Sequence, residues 1–419
     1  MSLSVKQVDS IVECKLARVS LWEGAVRSGK TFASLIAFFD AVAEAPHSGL
    51  VIIAGRTLQT IERNILEPMM DRALFGPLAA SVTHTRGSSI ARILGRDVHL
   101  IGAADARAEE KLRGLTACLA MLDEATLVPE AFWNQLLARL SVPGARLLAT
   151  TNPGSPAHWL KTKFVDRAAE IGLASWRFTL DDNPSLTDEY KNALKAEQTG
   201  LFYRRNILGE WVAAEGAIFD MWDPDTHVTP WDDMPPMARY VGVGIDYGTT
   251  NATSAVLLGQ DRAGAYWAVD EFRYDPALAQ RRLTDSQLAG KLREWLLTKH
   301  TPHPAEPMIP ALAVDPAAAS FKVELSNMFG PIVRDANNEV LVGIGVLASS
   351  LGAARLHVTN RCKGVIDEAP GYSWDPKATE KGQDAPIKTA DHSLDALRYA
   401  RMIDPHDITL TGPAVAGIG

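Results

Sequence analysis

The sequence predicts an α/β protein with two domains. The chain has 419 residues, of which 47% are hydrophobic, and single cores rarely grow beyond roughly 250–300 residues. In the first half, short apolar runs alternate with helical stretches, as expected of a parallel sheet covered by helices on both faces. A second pattern of strands begins at Val241, after a segment rich in proline and acidic residues.

Each apolar run bounded by turn residues predicts a strand. In the first half these runs are Arg18–Trp22, Leu50–Ala54, Asp97–Ile101, Cys118–Leu122, Arg146–Thr150 and Ser175–Leu180. In the second half, a three-stranded meander and one later strand are predicted at Val241–Ile245, Ala252–Leu258, Ala265–Phe272 and Ala311–Val314.

These elements place a first domain at residues 1–215 and a second at residues 240–405. Between them, residues 216–239 contain Asp-Pro, Thr-Pro and Pro-Pro pairs and five acidic residues against one arginine. Such a composition is typical of a linker. The last residues, 406–419, are rich in small side chains and predict a flexible tail.

The cysteines and the N-terminus indicate the compartment. Cys14, Cys118 and Cys362 are odd in number and far apart, without metal-binding spacing, which favours a reduced intracellular chain. The N-terminus carries no apolar signal region, and no apolar run approaches the roughly 20 residues that span a bilayer. We expect a soluble cytoplasmic protein. The formal charge of −8 neither supports nor excludes a nucleic-acid partner, because a total does not locate the charges.

A glycine-rich segment in the first domain matches GxxxxGK[ST] in full, between a predicted strand and the helical run Phe32–Glu44. Its glycines let the backbone wrap phosphates, whose charge the amides and the helix N-terminus stabilise. Lys30 is expected to reach the β- and γ-phosphates, and the Thr31 hydroxyl to bind Mg²⁺. The sequence therefore predicts an ATP site formed by Gly24, Ala25, Val26, Arg27, Ser28, Gly29, Lys30 and Thr31.

Two further strand ends support this site. Cys118–Leu122 runs into Asp123 and Glu124, where P-loop proteins hold Mg²⁺ with a carboxylate. Glu124 suits a general base that polarises water, so we expect ATP hydrolysis rather than transfer to another substrate. Thr151 and Asn152 follow the strand Arg146–Thr150, either as sensors of the γ-phosphate or as a plain Asn-Pro turn.

Two arginines are candidates for stabilising the transition-state charge. Arg27 lies inside the P-loop, and Arg113 lies shortly before the strand that leads to Asp123. Each is equally compatible with a surface ion pair.

Acidic residues of the second domain form another pattern. Asp246 and Asp315 each follow an apolar strand, and a helix start carries Asp391, His392 and Asp395. A buried carboxylate is costly unless it is paired or binds a metal. Carboxylates at strand ends and on one helix suit two Mg²⁺ or Mn²⁺ ions that clamp a phosphodiester. The chemistry therefore favours a metal-dependent nuclease with metal ligands at Asp246, Asp315, Asp391 and Asp395.

The first of these segments has a rival interpretation. Residues 244–251 look like the first phosphate loop of the actin and heat-shock-chaperone ATPases. That fold needs a second phosphate loop, and no Asp-x-Gly-Gly-Gly follows in the sequence.

Taken in order, these features resemble the large subunit of tailed-bacteriophage terminases, the DNA-packaging ATPase and nuclease. The resemblance covers nearly the whole chain. It rests on Gly24–Thr31, Leu119–Glu124, Thr150–Gly154, Asp182–Leu186, Gly209–Trp211, Val243–Gly248 and Asp391–Tyr399. Two of these motifs, Asp-Asn-Pro-x-Leu and Gly-Glu-Trp, carry weight only through the family.

The resemblance implies a P-loop NTPase domain of the ASCE type, with a lid at about residues 155–210, followed by an RNase H-like nuclease domain. It implies a coupling motif at Thr150–Asn152 and an arginine finger at Arg113 or Arg27. It also matches Asp246, Asp315 and Asp395 to the nuclease carboxylates, with Asp391 and His392 beside them.

The same resemblance implies the function and the partners. The activities are ATP-driven translocation of double-stranded DNA into a procapsid and metal-dependent cutting of concatemeric DNA. The partners are double-stranded DNA, the portal protein, the small terminase subunit and further copies in a ring, all in the host cytoplasm and without a membrane. Two alternatives remain: a packaging motor with an inactive carboxylate site, and a repair ATPase with a fused nuclease.

Overall fold

The computed structural model describes residues 2–104, 106–249 and 251–403. The first sheet within them has eight strands in the order β3-β4-β5-β2-β6-β7-β1-β8. They are β1 (Val19–Gly24), β2 (Leu50–Gly55), β3 (Val82–His84), β4 (Ile90–Ile93), β5 (Arg96–Gly102), β6 (Ala117–Leu122), β7 (Arg146–Thr151) and β8 (Leu173–Phe178). All neighbours are parallel except the edge hairpin of β3 and β4, which runs antiparallel to β5.

The second sheet has seven strands in the order β14-β13-β10-β11-β12-β15-β9. They are β9 (Val228–Thr229), β10 (Met237–Asp246), β11 (Thr253–Asp261), β12 (Tyr266–Tyr274), β13 (Leu312–Val314), β14 (Val333–Asp335) and β15 (Leu356–Thr359). The central strands β10, β11 and β12 form the predicted antiparallel meander, and β13 joins β10 in parallel. The two sheets confirm the predicted α/β fold.

Helices pack against both sheets. In the first half they are α1 (Val5–Glu13), α2 (Lys30–Glu44), α3 (Leu58–Ile61), α4 (Glu67–Met70), α5 (Arg72–Phe75), α6 (Glu130–Arg139), α7 (Ala168–Ile171), α8 (Asp188–Glu197) and α9 (Gly200–Asn206). In the second half they are α10 (Pro224–His227), α11 (Asp285–Leu296), α12 (Ala319–Phe329), α13 (Val340–Gly352), α14 (Lys363–Glu368), α15 (Pro376–Glu380) and α16 (His392–Arg401).

The central strands of the first sheet are apolar because both of their faces are covered. Every residue of β1 and β6 is buried, as expected of parallel strands between two helix layers. The additional strand β7 lies between β1 and β6. As a result, the carboxyl ends of β1, β6 and β7 lie side by side at one edge of the sheet.

The predicted domain limits differ from the structure in two places. Much of the predicted linker, residues 216–239, belongs to the second core: Ile218 and Phe219 are buried there, and β9 pairs with β15. Hydrophobic side chains inside this acidic, proline-rich segment explain the difference. The predicted lid includes β8, which is an edge strand of the first sheet, so only the helical part after it stands apart from that sheet. The predicted tail, 406–419, lies outside the described residues.

Two further observations concern the whole chain. The three cysteines are free thiols and all are buried. Among the residues that the structure describes, no helix combines the length and the apolar character needed to cross a membrane.

Candidate functional site

The glycine-rich loop connects β1 to α2, as the sequence predicts. Gly24 and Gly29 have φ angles of 139° and 82°, and Arg27 between them has a φ of 56°. A Cβ atom on Gly24 would lie 2.0 Å from the Phe178 carbonyl oxygen, so only glycine fits there. The Ser28 hydroxyl oxygen is buried and has no hydrogen-bond partner among the described residues. A free buried hydroxyl beside the N-terminus of α2 fits a loop that takes a phosphate ligand.

One asparagine joins the ends of the three neighbouring strands. Lys30 Nζ donates to Asn152 Oδ1 at 2.6 Å and to the Ala25 carbonyl at 3.0 Å. Asn152 Nδ2 in turn donates to Glu124 Oε1 at 3.0 Å. The side chain of Asn152 therefore bridges the P-loop lysine and the predicted catalytic glutamate.

Asp123 is fixed beside this bridge. Its two carboxylate oxygens accept hydrogen bonds from Thr150 Oγ1 at 2.8 Å and from Asn64 Nδ2 at 3.1 Å. Thr31 is the second residue of α2, in the same loop-to-helix turn. Thr151, the residue after Thr150, contacts a different side chain: its hydroxyl lies 2.9 Å from that of Thr126. Asn64 was not predicted, because no motif marks it in the sequence.

Burial shifts the pKa values of the two central groups, Glu124 and Lys30, in opposite directions. It raises the pKa of Glu124 to about 7, and the adjacent Asp123 adds to this rise, while Lys30 and Asn152 oppose it. Burial also lowers the pKa of Lys30, against the attraction of Glu124 and Asp123. Glu124 additionally has a φ of 52°, a left-handed conformation that is strained for a non-glycine residue. A glutamate with a pKa near neutrality suits a general base.

The two candidate arginines lie in different surroundings. Arg27 faces the helical part of the lid, where its guanidinium lies 5.7 Å from the ring centroid of Tyr190 in α8. The side chain of Arg113 is 62% exposed and pairs with Glu109 at 3.1 Å. Within one subunit, Arg113 is thus on the surface rather than among the P-loop contacts described above.

The carboxylates of the second domain meet at the end of its central strands. Asp246 ends β10, Asp315 follows β13, and Asp391 and Asp395 lie at the start of α16. His392 Nδ1 lies 2.8 Å from Asp246 Oδ2. Burial raises the pKa of Asp246, an effect that the hydrogen bond from His392 opposes and that Asp395 and Asp315 reinforce. The hydrogen bond with Asp246 in turn raises the pKa of His392.

Two basic side chains occupy the helix end of this acidic group. Lys388 Nζ lies 2.8 Å from Asp395 Oδ2 and 3.1 Å from Asp391 Oδ2. The guanidinium of Arg398, which is buried, donates to Asp395 Oδ1 at 3.0 Å. These ion pairs compensate carboxylates that would otherwise repel one another.

The donor set suits a hard divalent cation, because carboxylate oxygens are the ligands that Mg²⁺ and Mn²⁺ prefer. Asp391 Oδ2 is buried, and Lys388 Nζ lies 3.1 Å from it. However, no three acidic, histidine or cysteine side chains in that part of the chain are arranged closely enough to hold an ion. The role of the four aspartates as metal ligands therefore stays a prediction. In this structure Lys388, Arg398 and His392 contact oxygens of Asp391, Asp395 and Asp246.

Comparison with known proteins gives the family. A family profile described as "Terminase large subunit, T4likevirus-type, N-terminal" matches residues 21–223. The structure of the large terminase from a thermophilic bacteriophage (crystal form 2) matches with a TM-score of 0.84 and 33% identity, and the alignment covers 95% of this chain and 98% of that chain. This chain belongs to the bacteriophage large-terminase family.

The same thermophilic-phage terminase provides two further matches. Its complex with ADP matches with a TM-score of 0.84 and 33% identity, and its complex with ATP-gamma-S with 0.83 and 32%. Both alignments again cover 95% of this chain and 98% of the other. Among curated proteins there is no significant match.

In the present chain, two of the family motifs make contacts that indicate their physical role. In Asp-Asn-Pro-x-Leu, Asn183 Nδ2 donates to the Arg27 carbonyl at 2.7 Å and so supports the P-loop from outside. In Gly-Glu-Trp, the indole nitrogen of Trp211 donates to Glu23 Oε2 at 2.6 Å, at the end of β1. Sequence reasoning missed both contacts, because each joins residues more than 150 positions apart. Gln7 of α1 was missed as well, although its side chain donates to the Gly29 carbonyl at 3.2 Å.

A second group of residues that the sequence did not predict, Glu368 and Glu271, fixes the start of α16. Glu368 Oε2 accepts the backbone N–H groups of Ser393 and Leu394 at 2.7 and 3.1 Å. A carboxylate at a helix N-terminus satisfies free donors and complements the helix dipole. Glu271 of β12 accepts hydrogen bonds from the hydroxyls of Ser254 and Ser393 beneath it. These contacts fix the end of α16 that carries Asp391 and Asp395.

The glycine of Gly-Glu-Trp gives the first prediction. Gly209 has a φ of 65°, and a Cβ atom there would lie 2.5 Å from the Phe178 carbonyl oxygen and 2.9 Å from Ala25 N. We expect Gly209→Ala to lower the free energy of unfolding by about 1–3 kcal/mol more than Gly172→Ala, because overpacking adds to backbone strain. Gly172 is the matched control: it has the same φ of 65° and no atom within 4 Å of a Cβ. Chemical denaturation measures both variants, and equal losses would show that Gly209 does not pack against the P-loop.

Proposed function

We propose that this large terminase hydrolyses ATP to move double-stranded DNA into a procapsid, and that its second domain cuts concatemeric DNA with Mg²⁺ or Mn²⁺. The observation that carries the proposal is the bridge from Lys30 through Asn152 to Glu124 at the end of three parallel strands. The related terminase from the thermophilic bacteriophage, whose complexes contain ADP and ATP-gamma-S, supports nucleotide binding at this place.

The hydrolytic step follows from the side chains around the P-loop. Lys30 and the backbone of residues 24–31 bind the phosphates, and Lys30 offsets the charge that develops on the γ-phosphate. This phosphate takes the place of the Asn152 amide at Lys30, which frees Asn152 to sense it. Glu124 accepts a proton from the attacking water. Thr31 and Asp123 would hold Mg²⁺, which when bound would neutralise charge on the phosphates.

Coupling to DNA movement starts at the lid. The backbone N–H groups of Ala25 and Val26 donate to the carbonyls of Phe178 in β8 and Asn206 in α9, at 2.7 and 3.0 Å. A change of the P-loop on ATP binding therefore changes contacts with Phe178 and Asn206, which both lie within the predicted lid. Movement of α8 and α9 is our proposal for the step that advances DNA.

For the transition state we propose a contribution from an arginine. The exposed position of Arg113 favours action in trans, on the nucleotide of a neighbouring subunit in a ring. The alternative is Arg27, which already lies in the P-loop and would act on the nucleotide of its own subunit.

The proposed nuclease uses Asp246, Asp315, Asp391 and Asp395. When bound, the metal ions supply charge stabilisation for the attacking and leaving oxygens of a phosphodiester. Asp246 is supplied by the end of β10 and Asp395 by the first turn of α16. His392 keeps Asp246 oriented through the contact at 2.8 Å.

The proposed organisation places the ATPase in residues 1–215 and the nuclease in the domain built around the second sheet, β9–β15. We propose double-stranded DNA, the portal protein, the small terminase subunit and further copies in a ring as partners, in the cytoplasm of the infected host. An assay of DNA protected from added nuclease, with portal-bearing procapsids, tests this account. ATP-dependent protection is expected, and its absence with active procapsids would contradict translocation.

One observation favours a second candidate function. Because Lys388 lies between Asp391 and Asp395 where a metal would bind, a packaging motor with an inactive nuclease domain is consistent with the geometry. The two candidates differ in a plasmid assay with Mn²⁺: the nuclease cuts, whereas the motor alone does not.

A further inference from the structure

The contacts of Lys388 differ from those of an ordinary surface lysine. Its ammonium group lies 2.8 Å from Asp395 and 3.1 Å from Asp391, whose side chains are 9% and 7% exposed. The side chain of Lys388 itself is 56% exposed, so it reaches the acidic group from the solvent side. The Lys388 ammonium group therefore contacts both carboxylates, while most of its side chain is exposed and can rotate away from them.

The segment that carries Lys388, residues 381–391, is held in a strained form. Ala390, between Lys388 and Asp391, has a φ of 51°, a conformation that costs a non-glycine residue of order 1–3 kcal/mol. The Ile387 N–H donates to the Ser373 carbonyl at 2.9 Å, and the Thr389 N–H donates to the Ile387 carbonyl at 3.0 Å. The ion pairs of Lys388 lie two residues before this strained position, at the same end of the segment.

The other end of this segment is attached to the first domain. Asp384 pairs with Arg205 of α9 at 2.5 Å, and both side chains are largely buried. Gly382 packs so closely that a Cβ atom would lie 2.6 Å from the Cα of His158. Arg205 directly precedes Asn206, whose carbonyl accepts the N–H of Val26 in the P-loop. A short chain of contacts thus joins the nucleotide loop to Lys388.

We propose that Lys388 is a built-in cation that occupies the nuclease carboxylates, and that divalent metal binds there only when Lys388 and the segment 381–391 move away. The arrangement blocks cutting while the segment is attached to α9 through Asp384. This inference rests on the proposed nuclease site, since it assumes that the same aspartates bind metal.

The first experiment is a Mn²⁺ titration of the full chain without nucleotide, with calorimetric detection. Binding that is lost in Asp246→Ala is assigned to the nuclease site. We expect Lys388→Met to lower the Kd of that site by about tenfold, the equivalent of one or two weak ion pairs. Lys388→Arg keeps the charge and should stay close to the wild type. Lys381→Met removes an exposed lysine of the same segment and is the matched control.

A second measurement distinguishes two ways in which Lys388 can weaken metal binding. In one, the segment 381–391 must be displaced; in the other, the lysine charge simply repels the metal ion. Hydrogen exchange of residues 381–391, followed by mass spectrometry, reports opening of the segment. In the wild type, Mn²⁺ should speed exchange at Ile387 and Thr389, whereas in Lys388→Met exchange should already be fast without metal. A Kd unchanged by Lys388→Met, or Mn²⁺ binding without faster exchange in the wild type, would overturn the proposal. If Asp246→Ala removes no Mn²⁺ binding at all, the proposed nuclease site fails together with it.

Discussion

Glu124→Gln is expected to lower the rate of ATP hydrolysis by about 10²–10⁴-fold while ATP still binds, because the amide cannot accept the proton of the attacking water. The change keeps the size of the side chain and one oxygen for the hydrogen bond from Asn152. A steady-state phosphate-release assay measures the rate, and fluorescence titration with a labelled ATP analogue measures binding.

The matched control is Glu130→Gln. Glu130 begins α6 six residues later and pairs with Lys163, away from the P-loop. The Glu130→Gln variant should hydrolyse ATP at the wild-type rate. If both variants retain full activity, Glu124 is not the general base, and the role of the Asn152 bridge must be reassigned.

The second large effect is expected at the other site. Asp246→Asn should lower plasmid cleavage with Mn²⁺ by on the order of 10³-fold, because losing a charged metal ligand removes several kcal/mol of stabilisation. The substitution keeps the shape of the side chain, so the fold and ATP hydrolysis should be preserved. Gel analysis of supercoiled plasmid over time measures the loss.

Asp335→Asn is the control for this change. Asp335 ends β14 in the same sheet, as Asp246 ends β10, but it is exposed and pairs with Lys322. Its cleavage rate should equal that of the wild type. Equal cleavage by the wild type and Asp246→Asn would favour a nuclease centre elsewhere or a contaminating enzyme.

Much of the fold could be predicted because the patterns that indicate strands and the P-loop involve residues that are close together in the sequence. The loop from Gly24 to Thr31 is recognised within eight positions, and the structure has it between β1 and α2. The runs that became β2 and β6 are continuous and apolar, as buried parallel strands are. Short edge strands were missed: β4 has only four residues, of which Ala91 and Ile93 are buried, too few to establish a period.

Contacts between residues that are far apart in the sequence could not be predicted from it. Asp246 and Asp315 could be chosen because each follows an apolar strand, but the sequence did not indicate that His392, 146 residues after Asp246, would contact it. The role of Trp211 depends on Glu23, and the limits of the linker depend on where Ile218 and Phe219 find a core. Each of these outcomes depends on tertiary packing, which residue order alone does not encode in any short window.

The central claim is that one chain carries two separate reaction centres. It is tested most directly by measuring ATP hydrolysis and plasmid cleavage in parallel for the wild type, Lys30→Ala and Asp246→Ala. We predict that Lys30→Ala loses hydrolysis and still cuts without ATP, and that Asp246→Ala loses cutting and still hydrolyses ATP. Loss of both activities in each folded variant, or cutting that survives Asp246→Ala, would contradict the account.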